Sequence, residues 1–435
     1  MNTKRAWLTL ILIGVSLGSL PALGVRLFPA SGPITGQWTL ELRPSGDVQF
    51  SIHRSWPGHH EYESSSGYSL DSFRGLSSSL LQGGGTAKFE FVRDAGSLEC
   101  EGTFRNGGGG GAFTFSGNPQ YVASMRALGY DGLDDERLFE LTLQDVSLAY
   151  IHDLASFGYN HLPLDQLVEM RMHGVSIPYI RALRGFGYDL PPDELVRLRD
   201  HGVTQDYIAG MKTVGFGGLK ASQLVEARDH GVDPEYLRGL KAGGIDNPSL
   251  DEAVRLRDHG VDAKYIAGMK DAGYGELKAE QLIEARDHGV DPGYLHGLRA
   301  GGIDNLPLDE VVRLRDHGVD AKYITEMKDA GYSGLRADAL TELRDHGVDG
   351  RYASGMKAVG LANLPPADLI RLRDHGVTPD FIKQIKAAGF AGLSAEQYET
   401  LRDNGVDGAY IRKLNQNGLH DLTLQQIIRM REAGI

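Results

Sequence analysis

The chain has 435 residues, and its 45 Lys and Arg against 58 Asp and Glu give a formal net charge of −13. This charge argues against a nucleic-acid-binding protein, which needs a basic face, and against electrostatic attachment to anionic lipid. The length would hold two or three ordinary domains, but a long repeat array fits the sequence better.

Residues 1–28 have the pattern of an export signal. Lys4 and Arg5 precede an apolar run from Ala6 to Val25, and Ala22-Leu23-Gly24 supplies the small residues of a cleavage site. The alternative is an uncleaved membrane anchor, because the run is nearly long enough to span a bilayer. In both cases the remainder is exported, so we expect a bacterial periplasmic or extracellular protein whose only membrane contact is this segment.

Residues 29–117 alternate apolar and polar side chains, which predicts a small antiparallel β domain of five or six strands. The alternating apolar residues are Trp38, Leu40, Leu42, Val48, Phe50, Ile52, Phe89, Phe91, Leu98, Cys100, Phe113 and Phe115. Residues 44–47 and 94–96 are turn material, and residues 106–111 are expected to form a glycine-rich hairpin loop. Leu70, Phe73 and Leu76 suggest a short helix packed on the sheet.

Three features of this segment invite a chemical interpretation, and each has a plainer one. Gly107–Gly111 lacks the following helix that a phosphate loop needs. His59-His60-Glu61 with Glu63 could contribute to a metal site, but a solvated loop fits its Gly/Ser-rich surroundings better. Cys100 is the only cysteine, so it forms no intramolecular disulfide and is expected to be buried. We therefore predict no cofactor, no metal and no enzymatic activity.

Between residues 200 and 377 the chain repeats the motif Asp-His-Gly-Val about every 29 residues. The motif stands at 200–203, 229–232, 258–261, 287–290, 316–319, 345–348 and 374–377. A period of this length is typical of stacked helical repeats. The residues before the motif also alternate, with Glu-Ala-Arg at 226–228 and 284–286 and Arg-Leu-Arg at 255–257 and 313–315.

The motif predicts the end of one helix and the start of the next. Gly202 suits the left-handed position after a helix, where Leu198 and Val203 would meet in a Schellman cap. Thr204, like Asp233 one repeat later, is an N-cap residue for the following helix. Each repeat is thus a pair of helices of about ten to twelve residues, which are marginal alone and must stack on their neighbours. The sequence predicts an α+β multidomain protein in which an αα-hairpin solenoid of about ten repeats, residues 118–435, follows the β domain.

The array resembles the short Asp-His-Gly-Val helix-pair repeats of bacterial envelope proteins, including extensions of β-lactam-sensor-type membrane metallopeptidases. The resemblance covers roughly residues 118–435 and implies that a β domain accompanies the repeats. The peptidase motif His-Glu-x-x-His does not occur in the sequence, so the resemblance implies no peptidase activity.

The residues Arg, Asp and His at each helix end are the candidate binding surface, which we call the Arg-Asp-His ridge. Its members are Arg199, Asp200, His201, Arg228, Asp229, His230, Arg257, Asp258, His259, Arg286, Asp287, His288, Arg315, Asp316, His317, Arg344, Asp345, His346, Arg373, Asp374 and His375. We expect each His to cap helix carbonyls, the alternative being a set of imidazoles that titrate together near neutral pH. A carboxylate in the last helical turn opposes the helix dipole, so we expect Asp–Arg contacts between successive repeats.

These features predict an exported, non-enzymatic and monomeric scaffold that binds a protein or peptide partner and no nucleic acid. Three alternatives remain at this point: an envelope sensor that signals to a membrane partner, an enzyme with its site in the β domain, and self-assembly into filaments through the ends of the array.

Overall fold

The computed structural model describes residues 33–54 and 62–435. The predicted export signal and the His59-His60-Glu61 segment lie outside the described residues. The chain divides into two compact units, one ending at Ile177 and the other beginning at Pro178. None of the helices in the described residues is both long and apolar enough to cross a membrane.

The described residues of the first unit contain an antiparallel sheet of seven strands in the order β3-β2-β1-β7-β6-β5-β4. The strands are β1 Thr35–Leu42, β2 Val48–Arg54, β3 Tyr62–Tyr68, β4 Phe73–Arg74, β5 Gly85–Val92, β6 Gly96–Arg105 and β7 Gly108–Gly117. The predicted alternation is confirmed, since Trp38, Leu40, Val48, Phe50 and Ile52 are all buried.

Three sequence predictions for this domain are wrong, and the first is the number of strands, which is seven in the described residues and not five or six. The predicted loop at residues 106–111 is only a tight turn at Asn106 and Gly107, because β7 begins at Gly108. A run of glycines carries no alternation of side chains, so its strand is invisible to pattern analysis. The predicted helix at Leu70, Phe73 and Leu76 is instead a 3₁₀ turn at Leu70–Ser72 followed by β4, and helix α1 comes later, at Ser78–Gly83.

The glycines of β6 and β7 make room for the aromatic core. Trp38 is 1% exposed, and its ring centroid lies 4.9 Å from that of Phe89 and 5.4 Å from that of Phe104. A Cβ added to Gly102 would lie 2.6 Å from Cζ2 of Trp38, so no larger residue fits there. Cys100 is buried as predicted, and burial raises the pKa of its thiol to about 12, which keeps it protonated and unreactive.

After the sheet come helices of nine or ten residues, slightly shorter than the predicted ten to twelve. Those of the first unit are α2 Pro119–Ala127, α3 Asp135–Leu143, α4 Leu148–Ser156 and α5 Leu164–Met172. They are followed by α6 Ile177–Gly185, α7 Pro192–Asp200, α8 Gln205–Thr213, α9 Ala221–Asp229, α10 Pro234–Gly243, α11 Leu250–Asp258, α12 Ala263–Asp271, α13 Ala279–Asp287, α14 Pro292–Ala300, α15 Leu308–Asp316, α16 Ala321–Asp329, α17 Ala337–Asp345, α18 Gly350–Ala358, α19 Pro366–Asp374, α20 Pro379–Ala387, α21 Ala395–Asp403, α22 Gly408–Gln416 and α23 Leu424–Glu432.

In the first unit the sheet packs directly on the helices. Phe139 of α3 contacts Phe113 and Phe115 of β7, with ring centroids 5.9 and 5.3 Å apart. Arg54 of β2 donates two hydrogen bonds to the carboxylate of Glu136, at 2.6 and 2.7 Å. The sheet therefore covers the first helices.

In the second unit the helices stack in two rows. Odd-numbered helices from α7 to α21 pack against the next odd-numbered helix, and even-numbered helices from α8 to α22 pack against the next even-numbered one. This is the arrangement expected for helix-pair repeats, in which each pair buries its apolar faces against its neighbours.

The predicted helix ends are confirmed. The amide of Val203 donates to the carbonyl of Leu198 at 2.8 Å across Gly202, whose φ is 68°. Thr204 accepts from the amide of Tyr207 at 3.1 Å and so caps the next helix. The glycine C-cap and the side-chain N-cap both recur along the second unit, so one short turn ends a helix and begins the next.

Candidate functional site

The Arg-Asp-His ridge lies at the C-terminal ends of the odd-numbered helices α7 to α19, where each helix turns into its partner. The sequence places these residues in one repeat, but the structure shows that they act between repeats. Three contacts join the repeat containing His201 to the next one. They involve Tyr207, Arg228, Asp229 and the carbonyl of Val232, and equivalents follow along the second unit.

The first contact is a buried hydrogen bond from tyrosine. Tyr207, the third residue of α8, is 6% exposed and donates its hydroxyl hydrogen to the carbonyl of Val232 at 2.7 Å. Equivalent bonds of 2.8–2.9 Å join Tyr236–Val261, Tyr265–Val290, Tyr294–Val319, Tyr323–Val348 and Tyr352–Val377. This bond was not predicted from the sequence. The sequence feature that indicates the bond is the recurrence of Tyr at a position where Phe or Leu would fill the same space.

The second contact places a guanidinium over that tyrosine. Cζ of Arg228 lies 5.2 Å from the ring centroid of Tyr207, within the range of a cation–π contact. A Cβ added to Gly202 would lie 3.5 Å from Nε of Arg228, so the guanidinium also rests against the glycine of the preceding repeat. The equivalent distances at Arg257, Arg286, Arg315, Arg344 and Arg373 are 4.8–5.0 Å.

The third contact corrects the expected role of the aspartates. Oδ1 of Asp229 lies 2.7 Å from Nδ1 of His201 in the preceding repeat. Equivalent pairs are His230–Asp258, His259–Asp287, His288–Asp316, His317–Asp345, His346–Asp374 and His375–Asp403, at 2.6–2.9 Å. The predicted Asp–Arg contact is therefore wrong at these junctions, because histidine is the partner of each Asp and arginine stacks on tyrosine. The imidazoles also bond to carboxylates through Nδ1, not to helix carbonyls as expected.

The pairs lie at the surface, with 38–47% of each His and Asp side chain exposed. Hydrogen bonding to Asp258 raises the pKa of His230 above its ordinary value, and Asp316 does the same for His288. The pKa values of His346 and His375 are raised in the same way by Asp374 and Asp403. Each of these pairs favours a charged imidazolium beside a carboxylate.

The charge beside the ridge alternates in sign from repeat to repeat. The residue four positions before each histidine is Glu226, Arg255, Glu284, Arg313, Glu342 and then Arg371. Arg255 reaches forward to the carboxylate of Glu280 in the next repeat, with hydrogen bonds of 2.7 and 2.6 Å. Arg313 reaches Asp338 in the same way, at 3.2 Å. The ridge is therefore bordered by a row of alternating positive and negative side chains, partly fixed by ion pairs.

The arrangement can hydrogen-bond and pair charges with a partner over many repeats. Arginine, aspartate and histidine each recur in one register on rigid helix ends, and each ring nitrogen Nδ1 is already oriented by a carboxylate. Comparison with known proteins adds no identification, since no family model and no curated protein matches the chain.

Proposed function

We propose that this protein is an exported, non-enzymatic repeat scaffold of the bacterial cell envelope, and that its Arg-Asp-His ridge binds a protein or peptide partner. The observation that carries the proposal is the surface position of the ridge: contacts that join the repeats also hold charged groups in fixed orientations facing solvent. Preorganised side chains lose little conformational entropy on binding, which favours an extended recognition surface. The resemblance of the array to the repeats of bacterial envelope proteins supports a location in the cell envelope.

Alternating charge beside the ridge favours a protein partner over a uniformly charged polymer. Glu226, Arg255, Glu284 and Arg313 would each repel one sign of ligand charge, so a polyanion or polycation meets an unfavourable group in every second repeat. A folded protein or peptide can place both signs in register. The net charge of −13 further disfavours a polyanion.

Photo-crosslinking in intact cells tests this proposal. A photoreactive amino acid is placed at the exposed position Glu284, beside the ridge, in the full-length chain. The matched probe replaces Glu276, which is also exposed but lies in the loop before α13. We expect one defined protein adduct from position 284 and none from position 276. Equal labelling at both positions, or none at 284, would contradict the proposal.

A second candidate function, an envelope sensor that responds to pH, is favoured by one observation. Hydrogen bonds to Asp258 and Asp316 raise the pKa values of His230 and His288 above their ordinary value, so pH changes the charge at junctions between repeats. A sensor would change its partner binding as these histidines titrate. The yield of the position 284 adduct measured at pH about 6 and about 8 separates the two candidates, since a plain scaffold gives equal yields.

A further inference from the structure

One repeat near the C-terminus departs from the pattern at a buried position. Glu399 of α21 occupies the slot that holds Val196, Val225, Val254, Ile283, Val312, Thr341 and Ile370 in the preceding repeats. Its side chain is only 16% exposed. A carboxylate in a slot that is otherwise mostly aliphatic costs desolvation, so it is expected to have partners that the other repeats lack.

Glu399 meets the histidine of the preceding repeat. Its Oε1 lies 3.4 Å from Nε2 of His375, while Nδ1 of the same ring lies 2.8 Å from Oδ1 of Asp403. The imidazole therefore has a carboxylate at each nitrogen. Glu399 and Asp403 stand four residues apart on α21 and so project from one face of the helix.

Arginine contacts the second oxygen of the Glu399 carboxylate. Nη1 of Arg371 lies 3.2 Å from Oε2 of Glu399, an atom that is buried and has no hydrogen-bond partner. Nη2 of Arg371 is also 3.1 Å from Oδ1 of Asp368, which balances its charge independently of Glu399. Arg371 can thus orient Oε2 while Oε1 remains directed at His375.

We propose that His375, Glu399 and Asp403 bind a divalent transition-metal ion of the Zn²⁺ type. One donor atom from each residue lies within 4.8 Å of the other two, a spacing that small side-chain movements close around one ion. One imidazole with two carboxylates is a donor set that zinc accepts, and the half-exposed His375 and Asp403 leave room for water as a further ligand. Arg371 then plays the part of the outer group that fixes a ligating carboxylate.

The other junctions lack the third donor. His317 and Asp345 form the same pair, but Thr341 stands where Glu399 does, and beside His288 and Asp316 the slot holds Val312. The site is therefore a specific addition to one repeat and not a property of the ridge as a whole. The chain also offers natural replacements, since Ile370 fills the glutamate slot and Asn404 fills the histidine slot elsewhere.

Calorimetric titration of the full-length, tag-free protein with Zn²⁺ near neutral pH tests the site. We expect one site tighter than the background, weakened by roughly a factor of ten or more in both Glu399→Ile and His375→Asn. The matched control His317→Asn, at a junction without the glutamate, should leave the tight site unchanged. The inference fails if wild type shows no site above background, if Glu399→Ile binds zinc as wild type does, or if that variant changes only thermal stability.

Discussion

Nδ1 of His201 and Oδ1 of Asp229 lie 2.7 Å apart, although 28 residues and a complete helix separate them in the chain. Asp229 ends α9, where its negative charge opposes the helix dipole. His201 supplies a hydrogen bond from the preceding repeat and offsets that cost. The pairing explains why Asp and His occur together in the motif: each serves a different neighbour.

The buried tyrosine bond should contribute measurably to stability. Tyr265 is 5% exposed and donates to the carbonyl of Val290 at 2.8 Å. Tyr265→Phe keeps the ring but leaves that carbonyl without its partner, so we expect a loss of about 1 kcal/mol in the free energy of unfolding. Urea denaturation followed by circular dichroism measures the loss.

The chain provides the reverse substitution as a control. Phe381 occupies the tyrosine slot of α20, with Arg402 stacked over its ring at 5.3 Å. Phe381→Tyr places a hydroxyl where the neighbouring repeats have one, within reach of the Val406 carbonyl by equivalence. We expect this variant to be as stable as wild type or more so. Unchanged stability of Tyr265→Phe would show that the hydroxyl contributes nothing, and a loss in Phe381→Tyr would show that the slot of α20 is not equivalent to that of the other repeats.

The glycine of the motif should be required for its backbone conformation and not for space. Gly260 has a φ of 69°, and an added Cβ would come no closer than 3.6 Å to Nε of Arg286. Gly260→Ala is therefore expected to cost about 1–2 kcal/mol through backbone strain alone. Gly260→Asn should cost less, because asparagine tolerates the left-handed region. Equal melting temperatures for wild type and Gly260→Ala would refute this explanation.

Stability should fall as pH rises above the unfolded histidine pKa of about 6.5. His230, His288 and His346 have pKa values raised in the folded state by their Asp partners. Their contribution is complete below the unfolded pKa of about 6.5 and is lost as pH rises through the folded pKa. The pairs are exposed, so the effect is expected to be small and to weaken with salt.

A triple variant separates the contribution of these histidines to the pH dependence of stability from that of the other titrating groups. With asparagine at positions 230, 288 and 346, the decrease in melting temperature between pH about 6 and about 8.5 should be smaller than in wild type. Differential scanning calorimetry at low ionic strength provides the measurement. An equal decrease in both proteins would assign the pH dependence to other groups.

Sequence reasoning predicted the elements of the array and missed the contacts between its repeats. Gly202, Val203 and Thr204 define a helix end and a helix start by local chemistry, which a sequence shows directly. The partners of Asp229 and Arg228 depend on how two repeats stack. Charge alone predicted contacts of each Asp with an Arg of a neighbouring repeat, whereas the structure pairs Asp229 with His201 and places Arg228 on Tyr207.

Glu399 and the glycine-rich start of β7 are two further features that sequence reasoning did not place. Aligning the repeats places Glu399 at a position that is otherwise mostly apolar. Only the structure shows that its Oε1 lies 3.4 Å from Nε2 of His375. The glycine run that begins β7, Gly108–Gly111, has no side-chain pattern, and its place in the sheet follows from pairing with β1 and β6. Local rules therefore suffice for helix ends and fail where the information lies in a neighbouring element.

The pairing of repeats through histidine and aspartate is tested by an NMR titration of His230 in wild type and in Asp258→Asn. The two side chains lie 2.8 Å apart, and this hydrogen bond is the main reason that the pKa of His230 is raised. We expect the pKa of His230 to fall in Asp258→Asn and to stay unchanged in the distant control Asp316→Asn. If His230 titrates identically in wild type and in Asp258→Asn, the repeats are not joined by these pairs.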